Sequence, residues 1–129
     1  MSAIPSESLI ARIEAHIECW KQFNHFALVA RTRKFGPEDE SHFLELKKII
    51  TQDAEMIFSA IGDQSFHKAE ITALLGRAHS LLHLSEMGRG DRQSIEDAWH
   101  KIYIGWHATL GKLKIKQRGG DTAFFNRKK

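Results

Sequence analysis

Cysteine, proline and long apolar runs are what this chain has least of. Its single cysteine, Cys19, excludes an internal disulfide and any multi-cysteine metal site, and fits a reducing compartment. No apolar stretch approaches the roughly 20 residues that cross a bilayer, so no transmembrane segment is expected. The opening MSAIPSESLIARIEAH puts acidic residues where a secretory signal needs a basic stretch followed by an apolar one. Export is therefore not expected, and a cytoplasmic location is. Proline occurs only at positions 5 and 37, each at the edge of a periodic segment, where its missing N–H is tolerated. What is present is 129 residues, enough for one domain, with 42% hydrophobic content, too much for intrinsic disorder.

Apolar spacing predicts an all-α protein, an antiparallel four-helix bundle with a flexible C-terminal tail. The first helix spans about 6–34, with Leu9, Ile13, His16, Trp20, Phe23 and Ala27 on one face, widened by Ile10, Ile17 and Leu28. Phe35-Gly36-Pro37 breaks it, Gly36 being the expected left-handed cap. The second, 38–61, opens with Glu38, Asp39 and Glu40, carries Phe43, Leu46, Ile50, Ala54, Ile57 and Ile61, and stops at Gly62. A third, 66–86, follows Ser65 with Ile71, Leu74, Leu75, Ala78, Leu81 and Leu82, and Ser80 offers a second cap that would split it. Helix four, 92–117, follows Asp91 with Ile95, Trp99, Ile102, Trp106, Leu110 and Leu113. Ile102, Ile104, Trp106, Ala108 and Leu110 also alternate as in a strand, but a lone strand has no partner here. Gly119-Gly120 is expected to release 118–129 as a tail.

Charge is unevenly placed. Residues 1–99 hold 11 Lys and Arg against 15 Asp and Glu, a balance of −4, whereas residues 100–129 hold 8 against 1, a balance of +7. Lys112, Lys114, Lys116, Arg118, Arg127, Lys128 and Lys129 form a basic patch, and Phe124 and Phe125 add an aromatic tip. The helix dipole accounts for some cations near a helix C-terminus, and for Arg31, Arg33 and Lys34 at the end of helix one. A doubled phenylalanine beside them points to docking in a protein groove, with base stacking or contact with an anionic membrane surface as alternatives.

Eight histidines are many for this length. Metal-binding bundles use Glu-x-x-His pairs, and none occurs. The Asp form occurs at Asp39/His42 and Asp97/His100, and the reverse order at His42/Glu45, His67/Glu70 and His83/Glu86. Most of these histidines fall on polar helix sides, and His79, His83 and Glu86 make the best metal candidate among them. No metal or other cofactor is expected.

The remaining candidates have structural explanations. His16 lies on the core stripe and His107 beside Trp106, where boundary histidines find hydrogen-bond partners. His107-Ala108-Thr109-Leu110-Gly111 is similar to the His-x-x-Lys-Gly motif of phosphorelay transfer domains, themselves helical bundles, but Leu110 stands where the motif has its lysine. Cys19 has Glu18 and no cation beside it, so nothing activates the thiol. Asp53 interrupts the apolar face of helix two and is expected at its edge, beside a basic group. Gly105 and Gly111 suggest close helix approach, within the bundle or with a second subunit.

No catalytic constellation emerges. The sequence is therefore expected to be a non-catalytic adaptor or scaffold subunit that binds a protein partner through its tail. A small nucleic-acid-binding subunit is the first alternative and a His/carboxylate metal-binding bundle the second. Homo-oligomerisation stays open.

Overall fold

The computed structural model describes residues 6–61 and 68–126, with side chains for 7–61 and 68–117. Among the described residues five helices follow in order: α1 (Ser6–Thr32), α2 (Pro37–Ile61), α3 (Lys68–Arg77), α4 (Leu81–Ser85) and α5 (Arg89–Asn126). There is no strand among the described residues, and none of their helices is long and apolar enough to cross a membrane. The architecture is an all-α helical bundle. α1 is its centre, packed against α2, α4 and α5, while α3 packs on α5 and α4 on α2.

Helix directions follow from paired residues. Asp53 meets Arg12 and His16 while Phe43 meets Phe23 and Phe26, so α1 and α2 are antiparallel. Lys114 meets Glu14 and Glu96 meets Arg31, so α1 and α5 are antiparallel too. The apolar stripes predicted from spacing fill the core: Ile13, Trp20, Phe23, Phe43, Ile50, Ile57, Leu74, Leu81, Ile102 and Trp106 are essentially inaccessible to solvent. Each large apolar side chain buried in this way contributes roughly 1.5–3 kcal/mol. Ile102 and Trp106 point inward while Ile104 lies in water, the signature of a helix and not of a strand.

Four boundaries differ from the sequence reading. The predicted helix 66–86 is two helices, split where the Ser80 cap allowed it: residues 78–80 leave the helical path and Ser80 caps α4 by accepting from the His83 amide at 3.0 Å. That break resets the helical phase, so Leu82 is 55% exposed and Leu84 takes the buried place. α1 ends on Arg33, whose φ of 60° makes it the left-handed residue expected at Gly36. Gly36 instead starts α2: its carbonyl accepts the first helical bond from the Glu40 amide, and its own amide donates to the Asp39 carboxylate, the half of a capping box that an N3 acid supplies. α5 begins at Arg89, with the Gly88 carbonyl accepting from the Arg92 amide, which places Asp91 inside the first turn and not at the cap. At its other end α5 runs through Gly119 and Gly120 to Asn126, where the sequence predicted a flexible tail from 118. Two glycines oppose a helix by only about 1 kcal/mol each, and no proline stops one already nucleated. The predicted cap at Ser65, the stop at Gly62 and the end of the chain, 127–129, lie outside the described residues.

Leu28, expected to widen the buried face of α1, is 47% exposed.

Candidate functional site

The most organised polar group in the molecule starts from helical spacing. Arg12, His16 and Trp20 stand four residues apart on α1, and the antiparallel α2 brings Asp53 to them. His16 is fully buried, with Nδ1 3.0 Å from Oδ2 of Asp53. Its Nε2 accepts from the Trp20 indole N–H at 3.0 Å. An indole nitrogen only donates, so Nε2 carries no proton; the neutral ring keeps its proton on Nδ1 and donates it to Asp53. Arg12 reaches the other carboxylate oxygen at 3.4 Å, and the Trp106 ring stands nearly edge-on to the imidazole with centroids 4.5 Å apart.

Burial pushes the His16 pKa below its usual value, and the facing Asp53 offsets this only in part. Both ring nitrogens are engaged, which leaves neither for a substrate. Half-buried Cys19, one turn further along α1, has its thiol pKa raised by burial, then by Asp53 and Glu18. It is a thiol and not a thiolate nucleophile. Outside Asp53 the surface forms an open depression of about 420 Å³, lined by Ser8, Ala11, Arg12 and Ala15.

From Lys101 onward α5 is built differently. Lys114 is paired with Glu14 at 3.1 Å and Lys101 with Glu70 at 2.7 Å, so two of its cations help hold the bundle together. Lys112 and Lys116 are exposed and have no ion-pair partner among the described residues. No Asp or Glu occurs from position 100 to 117. On the solvent face Ile104 is 52% and Ile115 68% exposed, and at 100° per residue Ala108 and Gly111 fall in line between them. A Cβ added at Gly111 would meet nothing within 4 Å, so no bundle neighbour requires the glycine there.

No family model matches the chain, and no curated protein or solved structure matches it either.

Of the predicted partner-binding residues, Lys112 and Lys116 share this open surface and Lys114 turns toward α1. Arg118, Phe124 and Phe125 belong to the helical backbone of α5, though their side chains lie outside the described set, as do Arg127, Lys128 and Lys129 altogether. His79 and His83 do come together, with ring centroids 5.9 Å apart. Yet no group of three His, Cys, Asp or Glu among the described residues is placed to hold one ion, so Glu86 does not complete the trio. The acids of two other pairs are engaged elsewhere, Asp39 with the Gly36 amide and Asp97 with Gln93. His107 is exposed, its ring edge-on to Tyr103 at 4.7 Å.

Sequence reasoning missed the ridge from Ile104 to Ile115. Its signal was available, since positions 104, 108, 111 and 115 step by four, three and four, a second helical stripe beside the core one.

Proposed function

We propose that the protein is a cytoplasmic, non-catalytic helical adaptor, and that α5 from Ile104 onward is its docking element for a protein partner. The observation that carries this reading is the pair Ile104 and Ile115, both more than half exposed on one face of a helix segment that carries lysines and no acid. Exposed apolar side chains arranged along one helix face, with charge at the rim, are typical of interaction surfaces. The arrangement around His16 supports the non-catalytic part, because its nitrogens serve Asp53 and Trp20 and the neighbouring thiol is held protonated. On this reading the docking element continues from Ile115 and Lys116 into the aromatic and basic end, Phe124, Phe125 and residues 127–129.

The test is capture from native lysate by the full chain and by a version ending at Gln117, in low and high salt, with each captured protein purified and bound again alone. A defined partner that survives salt, rebinds in pure form and is lost on truncation supports the adaptor. Retention by the truncated chain removes the end of the chain from the site. Recovery of nucleic acid that salt strips off replaces the reading with nucleic-acid binding, since phosphate contacts weaken steeply with salt.

A further inference from the structure

Resting on that reading of the α5 surface, we infer that the partner element is an acidic amphipathic helix, laid along Ile104, Ala108, Gly111 and Ile115 with its carboxylates on Lys112 and Lys116. Three features of the surface select this occupant. The ridge has the helical period and spans about three turns, or about 17 Å at 1.5 Å per residue, which matches one short helix packed lengthwise. Between two protruding isoleucines, Ala108 and Gly111 leave a notch, open above Gly111, where one large apolar side chain of the partner fits. Within residues 100–117 every formally charged side chain is a lysine, and the nearby acids Glu14 and Glu70 are taken up by Lys114 and Lys101. Lys101, Lys112 and Lys116 lie along one edge of the stripe and the exposed His100 and His107 along the other, with no acid from 100 to 117. Lys101 is already engaged with Glu70, which leaves Lys112 and Lys116 for a partner.

The same features disfavour two other occupants. A second copy laid antiparallel on this face sets Lys112 against His107 and Lys101 against the basic position 118, and a parallel one sets each lysine beside its own copy. Neither arrangement brings a carboxylate of residues 100–117 to Lys112 or Lys116. Nucleic acid satisfies the lysines but leaves Ile104 and Ile115 in water, whereas a helix with an apolar seam and acidic flanks uses both sets at once.

The experiment is selection of a displayed library of about 16-residue amphipathic helices against the folded full-length chain, with Leu or Ile at the seam and random flanks. The expected result is enrichment of Asp and Glu in the flanks. A selected peptide should weaken about tenfold or more on Ile104→Asp/Ile115→Asp and on Lys112→Glu/Lys116→Glu, and a lysine-flanked version should regain binding on the latter pair. All four positions are exposed, so the variants are expected to fold, which circular dichroism and thermal melting check. Ile104→Ala/Ile115→Ala provides a milder pair with the same expected direction. Flanks without acidic enrichment, or peptides indifferent to the isoleucine changes, overturn the inference. So does duplex DNA that binds through Lys112 and Lys116 while ignoring both isoleucines. If the library yields no acidic binder while a lysate partner is still captured and rebinds, the acidic helix falls and the adaptor stands; if both fail, the adaptor falls as well.

Discussion

Asp53 Oδ2 lies 3.0 Å from Nδ1 of His16, and the Trp20 indole fills the opposite nitrogen of the same ring, so one buried imidazole links α1 to α2 through a chain in which every polar atom has a defined role. Removing the acceptor leaves a buried N–H without a partner. Asp53→Ala is expected to destabilise the fold by about 1–3 kcal/mol, the desolvation penalty of an unmet donor. Asp53→Asn keeps an acceptor and should lose less. Urea unfolding of the two variants measures this, and equal losses would show that the Arg12 ion pair matters and not the histidine hydrogen bond.

The same ring makes stability depend on pH. In the unfolded chain a histidine titrates near 6.5, and burial places the folded-state value of His16 lower. Between the two values the unfolded chain binds a proton that the folded chain refuses. Stability is therefore complete above about 6.5, declines as pH falls toward the folded-state pKa, and levels off below it. His16→Gln removes this contribution while the other histidines remain as a common background. Unfolding free energies measured from about pH 7.5 to about pH 5.5 should fall more steeply for the natural chain than for the variant. Parallel curves would contradict the assignment.

Glu40 holds a helix to which it does not belong. From α2 its two carboxylate oxygens accept from the Leu81 and Leu82 amides, each at 2.9 Å, at the start of α4. Five residues make a helix too short to persist alone, so this charge-assisted cap and the Ser80 hydroxyl supply much of what fixes it. Glu40→Ala is expected to destabilise by about 1.5–3 kcal/mol, and Ser80→Ala by about 1 kcal/mol. Hydrogen exchange should report the change first at Leu81 and Leu82, with α2 amides near Phe43 little affected. Uniformly faster exchange would mean that Glu40 acts on the whole bundle.

These residues show what was legible in the sequence. Ile13, Trp20, Phe43, Ile57 and Trp106 announce themselves through helical spacing, because burial requires one face to be apolar. Asp53 was legible as an exception to that spacing, and a basic neighbour at its side was expected. That His16 would stand opposite depended on the register between two helices, which no local pattern encodes. Glu40 counted only as one of three acids favoured by the α2 dipole; its bond to α4 joins residues 41 and 42 positions away. Ile104 was hidden for another reason: in the sequence its stripe overlaps the core stripe, and the mixture resembles strand alternation.

Arg33 carries a cap conformation that a side chain ordinarily disfavours. With φ at 60° it ends α1 in the left-handed region, while its guanidinium donates to the Ser85 carbonyl of α4 at 3.2 Å. The left-handed backbone opposes a non-glycine residue by roughly 1–2 kcal/mol, and one such hydrogen bond returns about 0.5–1.5 kcal/mol. Arg33→Gly removes both and should be neutral to slightly stabilising. Arg33→Ala removes the hydrogen bond and keeps the strain, so it should be the least stable of the three. Thermal melting of the natural chain and both variants tests the order. An alanine variant as stable as the glycine one would show that the backbone at this turn is not strained, and that Arg33 is held there by its bond to Ser85 alone.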